Sequence, residues 1–265
     1  MSQDSANAVP TASTTHSADL DEGLPRASAS RRHSIRLDLS VESPLSGRSA
    51  SARRAAAAAG WTLIGTGPIR DASINWAIEL DVTRKTLPYA DASVDMIYAA
   101  FTLETAAAPR LPAMLAEWRR VLKPGAPVES ADSSTLFDGG LLRIVVRDMA
   151  AAVGALAERD EAYFERQEGA AHQGVGVSDR GPSRPLGERF AAWLRRAGPG
   201  ASTWFDHETI MHHLRAAGFD GMYRSACRKS LLPELRSDAF DQPTPDVLYL
   251  EAWATQPCAQ QPRAA

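Results

Sequence analysis

The sequence has few cysteines and no long apolar run, and each scarcity excludes a class of protein. Of 265 residues only Cys227 and Cys258 are cysteine, too few and too far apart for a disulfide framework or a Cys-rich metal site, so we expect reduced thiols. No apolar run approaches the roughly 20 residues that cross a bilayer, and the N-terminus lacks the charged-then-apolar order of a signal peptide. We therefore expect a soluble, cytoplasmic protein with no membrane partner.

Positive charge is not concentrated anywhere in the sequence. The net charge is -3, and only three of the 29 basic residues are lysine. Binding to a phosphate backbone needs a dense positive surface, so nucleic acid is not expected as a partner. No pattern indicates an oligomeric state.

Composition divides the chain into one domain and two tails. Residues 1–34 contain no aromatic and few branched aliphatic side chains. Such a segment cannot bury enough apolar area to offset the entropy lost on ordering, so we predict a disordered tail. Residues 255–265, rich in Gln, Pro and Ala, predict a short C-terminal tail. The remaining residues, 35–254, have the size of one domain.

Short apolar runs alternate with amphipathic stretches inside this domain, a pattern typical of parallel strands joined by crossover helices. The predicted elements are strands at 35–39, 61–64, 76–80, 94–100 and 141–146, helices at 43–59 and 110–122, a helix capped by Asp206, and β-like segments at 222–227 and 247–253. Residues 169–200 are predicted to be a loop or lid because Gly, Arg and Pro dominate 169–187. Residues 126–139 resemble an insertion before the fifth strand.

Several motifs resemble those of class I S-adenosylmethionine-dependent methyltransferases of the small-molecule, type 11 kind. Residues 80–98 read LDVTRKTLPYADASVDMIY and 101–105 read FTLET, similar to the family's third strand, Leu-Pro-Phe-like turn and segment after the fourth strand. Residues 118–125, 142–148 and 214–219 read WRRVLKPG, LRIVVRD and LRAAGF, similar to the turn into strand five, to that strand and to a late helix end. The resemblance implies a doubly wound, Rossmann-like seven-stranded α/β sheet with flanking helices.

The same resemblance implies S-adenosylmethionine as cofactor and assigns residues to its site. In a doubly wound sheet the ligand lies across the carboxyl ends of the strands, at the switch point. By resemblance, Asp81 is the residue on the adenine side with Val82 beside it, and residues 100–103, including Phe101, form the floor under the sulfonium. No catalytic residue is assigned, because methyl transfer from a cationic donor depends on alignment and desolvation, and a dedicated base is optional.

The glycine-rich turn of the family has two candidate registers in this sequence. A turn at residues 65–67 would leave only about 16 residues before Asp81, too few for a helix and a strand. We favour the register in which residues 37–42 occupy the turn, about 41 residues before Asp81. Ser40 and Glu42 then stand where the family has glycines, and Gly65 or a neighbour stands where it has the ribose-binding acid. A carboxylate at 42 would repel the methionyl carboxylate of the cofactor.

Three functional hypotheses follow. The main one is an enzyme that transfers the methyl group of S-adenosylmethionine to a small-molecule acceptor. The alternative is a catalytically silent methyltransferase-like module that binds a ligand or partner, consistent with the altered glycine turn and with Phe101 and Thr105 in place of the family's histidines. A nicotinamide-dependent enzyme is disfavoured because no Gly-x-Gly-x-x-Gly turn opens a helix.

Other polar and aromatic side chains are weaker candidates. His207, His212 and His213 cluster on one predicted helix, but their spacing does not place two imidazoles on one face, so no metal site is expected. Trp204 and Tyr163 are the aromatic residues expected to contact substrate. His172 is a candidate general base by position.

Overall fold

The centre of the protein is a seven-stranded sheet. The computed structural model describes residues 34–40, 50–65, 78–129, 135–171, 184–195, 203–241, 243–244 and 246–256. Within these residues the strands are β1 Arg36–Asp38, β2 Trp61–Gly65, β3 Ile78–Glu79, β4 Met96–Ala100, β5 Gly125–Glu129, β6 Thr135–Gly139, β7 Leu141–Arg147, β8 Gly221–Ser225 and β9 Val247–Trp253. Most of the two predicted tails, residues 1–33 and 257–265, and residue 42 lie outside the described residues.

The strand order is β3-β2-β1-β4-β7-β9-β8. Pairings from β3 through β7 are parallel, and β9 alone in this sheet runs against its neighbours β7 and β8. A parallel sheet whose first strand lies in the middle has its switch point beside that strand, between β1 and β4. The predicted doubly wound α/β fold is therefore confirmed.

The strands β4 and β7 are buried on both faces, which explains why apolar residues dominate both sequences. Every residue of β4 and β7 is buried. Ile97 and Ala99 pack in the cluster around Trp118, whereas Met96 and Tyr98 pack on the opposite face with Phe240. This alternation follows from the two-residue period of a strand.

Six helices flank the sheet within the described residues. They are α1 Ala50–Ala58, α2 Leu111–Val121, α3 Met149–Ala157, α4 Glu161–Ala171, α5 Leu186–Arg195 and α6 His207–Ala216. Asp206 caps α6 as predicted, since its Oδ1 accepts from the Thr209 amide at 2.7 Å. Asp148 caps α3 in the same way. No helix in the described part of the chain is both long and apolar enough to span a bilayer.

Three predicted connections need correction or refinement. The predicted insertion is an antiparallel hairpin of β5 and β6 outside the main sheet. The prediction of a loop over 169–200 is wrong for its described parts, because α4 continues to Ala171 and α5 occupies Leu186–Arg195. Phe190, Trp193 and Leu194 give α5 an apolar face that packs in one cluster with α4, and this face overrides the local Gly and Pro signals. The Pro-rich stretch before β9 contains a short 3-10 helix, Pro233–Arg236.

The turn that carries much of the family resemblance is bound to α2. Arg120 donates to both carboxylate oxygens of Glu117 and to the carbonyls of Leu87 and Tyr89. Glu117 in turn accepts from the Leu87 amide at 2.7 Å. These bonds hold the turn against α2, so this motif serves the scaffold.

Candidate functional site

Four neighbouring strands bring the predicted cofactor residues to one edge of the sheet. Ser40 follows β1, Gly65 ends β2, Asp81 follows β3, and Phe101 directly follows β4. Because these strands are parallel and adjacent, their carboxyl ends lie side by side, about 4.8 Å apart. The central position of β1 supports the register that places residues 37–42 at the turn, rather than the one at residues 65–67.

Ser40 ties the ends of β1 and β4 together. It is 3% exposed, and its Oγ accepts from the Ala100 amide at 3.2 Å. A second bond joins the same two strand ends, since Thr102 Oγ1 donates to the carbonyl of Leu39 at 2.7 Å. The Ser40 hydroxymethyl group therefore lies between the ends of β1 and β4, at the switch point.

Asp81 forms the turn that follows β3. Its Oδ1 accepts from the Thr83 amide at 3.0 Å and from Thr83 Oγ1 at 2.6 Å, while Oδ2 lies 3.4 Å from Arg84 Nε. The side chain remains 34% exposed at the edge of the sheet. Asp81 therefore stabilises its own turn and still presents a carboxylate oxygen toward the edge. Val82 is buried in the core cluster beside it.

Phe101 has a left-handed backbone at the end of β4. Its φ is +59°, a region that costs a non-glycine residue about 1–2 kcal/mol, and such strain concentrates at functional sites. Its amide donates to the Val145 carbonyl at 2.8 Å. The turn places the buried ring on the same face as Ala100, with the cluster around Phe240. The predicted floor at residues 100–103 is therefore a buried, sharply turned segment.

Next to this segment, a buried ion pair joins the ends of β4 and β7. Glu104 Oε1 accepts from the Arg147 amide at 2.8 Å and lies 3.3 Å from Arg147 Nε. Both side chains are 3% exposed. Burial raises the pKa of the Glu104 carboxyl, with the charge of Arg147 opposing the shift, and burial lowers the pKa of Arg147. The sequence does not indicate this pairing, because 43 positions separate Glu104 from Arg147.

Aromatic rings enclose the guanidinium of Arg147. Its Cζ lies 4.8 Å from the ring centroid of Trp193 and 4.6 Å from that of Trp204, distances typical of cation–π contacts. Its Nη1 donates to the Trp193 carbonyl at 2.8 Å. Tyr163 belongs to the same packed cluster as Trp193 and Trp204. The sequence indicated Trp204 and Tyr163. The signal that could have indicated Arg147 was an arginine at the end of a mostly apolar strand.

The histidine candidates do not form a metal centre. Among the described residues, no group of three or more His, Cys, Asp or Glu side chains is arranged to hold an ion. The rings of His212 and His213 are 5.6 Å apart, and burial, followed by the neighbouring His212, lowers the pKa of His213. His172 lies outside the described residues.

Comparison with protein families gives one match. Residues 51–128 match a family model described as a methyltransferase domain. The matched segment covers β2 to β4, α2 and the turn that Arg120 binds. The match confirms the resemblance to class I S-adenosylmethionine-dependent methyltransferases and supports S-adenosylmethionine as the cofactor.

Solved structures with a similar arrangement include two methyltransferases. One, from Thermotoga maritima, is described as a possible histamine N-methyltransferase and aligns with 14% identity and a TM-score of 0.41 over 82% of this chain and 81% of its own. Human N-acetylserotonin methyltransferase, in complex with S-adenosylmethionine, aligns with 14% identity and a TM-score of 0.42 over 84% of this chain and 48% of its own. Likenesses this distant support no argument about the site. A comparison with curated proteins finds no match.

The described residues fit the adenosine half of the cofactor better than the methionine half. The edge presents an accessible carboxylate, Asp81, beside the end of β2, and a carboxylate is the acceptor that ribose hydroxyls or an adenine amino group require. For the methionine half, the buried Ser40 side chain occupies space between the ends of β1 and β4, and the following residues, 41–49, lie outside the described part of the chain.

Proposed function

We propose that the protein is an enzyme that transfers the methyl group of S-adenosylmethionine to a small-molecule acceptor. The observation that carries the proposal is the strand order around β1, whose switch point lies at the edge where Asp81 follows β3 and Phe101 follows β4. The sequence has a net charge of -3 and no dense basic block, which fits a small acceptor better than a nucleic acid. We also propose that it acts in the cytoplasm.

Each residue at the edge would have a distinct task. The cofactor supplies an electrophilic methyl group on a sulfonium. Asp81 would accept hydrogen bonds from the adenosine part, Val82 would support that part from the core, and Gly65 would allow close approach of the chain. Ser40 and the segment 100–103 would position and desolvate the reacting end. Alignment and exclusion of water are the largest contributions that such a site can make.

The proposal is tested by calorimetric titration with S-adenosylmethionine and S-adenosylhomocysteine. We expect micromolar binding by the full-length protein and at least a tenfold loss of affinity in Asp81→Ala. Asp220→Ala is the matched control, since Asp220 immediately precedes β8 and therefore lies at the opposite, amino edge of the sheet. Absence of binding at millimolar ligand, or equal losses in both variants, would overturn the assignment.

A catalytically silent module is the second candidate, and the hydrogen bonds at the switch point favour it. Ser40 and Thr102 direct their hydroxyl groups to protein partners across the ends of β1 and β4. If these bonds close the methionine end, Ser40→Gly should strengthen binding of S-adenosylmethionine. An unchanged affinity in Ser40→Gly would show that the serine does not obstruct the site.

A further inference from the structure

Three unpartnered polar groups lie in one cluster at the carboxyl end of β7. We define the β7-end cluster as Arg147, Tyr163, Trp193 and Trp204, which come from β7, α4, α5 and the segment before α6. Arg147 and Tyr163 are each 3% exposed and Trp193 is 1% exposed. Trp204 is only partly buried, so the cluster reaches the surface at that residue.

The unpartnered groups of this cluster are hydrogen-bond donors. Within the described residues, five buried side-chain polar atoms have no hydrogen-bond partner, and three of them are Arg147 Nη2, the Tyr163 hydroxyl and Trp193 Nε1. A buried unpartnered donor costs about 1–3 kcal/mol, so folded proteins rarely keep several in one place without a use for them. Arg147 Nη2 and Trp193 Nε1 can only donate and the Tyr163 hydroxyl can donate as well, so the three groups together favour a ligand with acceptor oxygens.

The charge of the cluster points to an anionic ligand. Glu104 engages the amide and Nε of Arg147, and the Trp193 carbonyl engages Nη1, which leaves Nη2 for another partner. Nη2 of this buried guanidinium therefore has no acceptor among the described residues. A second anion would supply one, and a carboxylate accepts from guanidinium donors with strong, directional hydrogen bonds.

Tyr163 would contribute a hydrogen-bond donor rather than a negative charge. Burial and the nearby carboxylates of Asp246 and Asp148 raise its pKa, while Arg147 opposes this. The hydroxyl therefore stays protonated at neutral pH and can donate. A tyrosinate would repel an anion, whereas a protonated hydroxyl attracts one.

The position of the cluster connects it with the transfer site. Arg147 is the last residue of β7, and its neighbour β4 ends at the Phe101 turn. The Glu104 carboxylate joins the two strand ends directly. We propose that Arg147, Tyr163 and Trp193 bind a carboxylate group of the acceptor, so that the substrate of the proposed methyl transfer is a small organic carboxylate. This inference rests on the proposed function for its acceptor role.

Binding of carboxylates and of their neutral amides tests the inference without any turnover. The probes are acetate, benzoate and indole-3-acetate, each paired with its amide and titrated into the full-length protein by calorimetry. We expect at least one carboxylate to bind at least tenfold more tightly than its amide. A panel in which no carboxylate exceeds its amide would overturn the inference.

Two substitutions that remove one donor each assign the binding to the cluster. Tyr163→Phe removes only the hydroxyl, and Trp193→Phe removes the indole N–H. Each should weaken carboxylate binding about tenfold. Trp118→Phe is the matched control, because Trp118 Nε1 is also buried and unpartnered but lies on α2, away from the cluster. An equal loss in Trp118→Phe, or no loss in the two cluster variants, would contradict the inference.

A second readout separates a ligand-binding hydroxyl from a structural one. If the Tyr163 hydroxyl serves only a ligand, Tyr163→Phe should raise the melting temperature of the free protein while it weakens carboxylate binding. A lowered melting temperature with unchanged binding would identify a structural role and overturn the inference. Titration of the same samples with S-adenosylhomocysteine keeps the two proposals apart. If S-adenosylhomocysteine binds and carboxylates do not, only this inference fails; if carboxylates bind and S-adenosylhomocysteine does not, the acceptor role fails together with the proposed function.

Discussion

Glu104 and Arg147 place two charges where water cannot reach them. Taking a charge out of water costs several kcal/mol, and the attraction between partners offsets that cost only in part. The directions of both pKa shifts express this balance, since burial raises the pKa of Glu104 and lowers that of Arg147. The pair is therefore a poor source of stability, and a role in holding Arg147 for a ligand explains its presence better.

Glu104→Gln tests that balance through the pH dependence of folding. A carboxyl with a raised pKa in the folded state favours folding at pH below its unfolded pKa, and this contribution is lost as the pH rises through its folded pKa. Gln keeps an acceptor for the Arg147 amide and does not ionise. We therefore expect the free energy of unfolding of the wild type to fall relative to the variant as the pH rises above about 4.5, measured by urea titration at several pH values.

Glu188→Gln is the control for that experiment. Glu188 is exposed in the first turn of α5, so this variant shows the general effect of removing one negative charge. The prediction is refuted if the difference in free energy of unfolding between wild type and Glu104→Gln equals that for Glu188→Gln at every pH. It is also refuted if the difference for Glu104→Gln changes with pH in the opposite direction.

At the scale of elements, the sequence predicted those helix ends and strands that depend on residues close together in the chain. The Asp206 cap and the β segment at 247–253 both depend on neighbours in sequence, and each occurs where it was predicted. The described part of α5 was missed because its apolar face is defined by α4, which lies elsewhere in the chain. The Glu104–Arg147 pair was missed for the same reason, because 43 positions separate its members.

The hairpin of β5 and β6 depends on glycines at its base. A Cβ on Gly139 would lie 2.0 Å from the Pro124 carbonyl oxygen, and the φ of this residue is +96°. Gly139→Ala is therefore expected to lower the free energy of unfolding by about 3 kcal/mol, through a backbone clash and a strained conformation. Urea unfolding of the variant and the wild type measures the difference.

Gly154→Ala is the matched control, because the same change should have the opposite sign there. Gly154 lies inside α3, and a Cβ at this position meets no atom within 4 Å. Alanine restricts the unfolded chain and suits a helix, so we expect a gain of about 0.5–1 kcal/mol. A Gly139→Ala variant as stable as Gly154→Ala would show that the hairpin base can shift.

At the scale of the whole molecule, the sheet separates its scaffold from its candidate chemistry. Strands and helices are held together by Asp95, by Lys123 and by the turn that Arg120 binds. The residues proposed to bind ligands lie instead at the carboxyl edge. The order of the strands could be predicted from the motifs because the family resemblance fixes it. Whether the switch point is open could not be predicted from the sequence, because it depends on whether the Ser40 and Thr102 hydroxyls bond across two strand ends.

Two ligands that bind neighbouring subsites of one folded molecule should stabilise it independently. At a concentration one hundred times its dissociation constant, a ligand that binds only the folded state adds about 2.7 kcal/mol, or about 5–10 °C in melting temperature for a chain of this size. S-adenosylhomocysteine at the ends of β1 to β3 and a carboxylate at the β7-end cluster should therefore give thermal shifts that add when both are present. Differential scanning calorimetry of the protein with each ligand and with both measures the sum. A combined shift equal to the larger single shift would mean that the ligands compete for one space, and the division of the edge into a cofactor part and an acceptor part would be wrong.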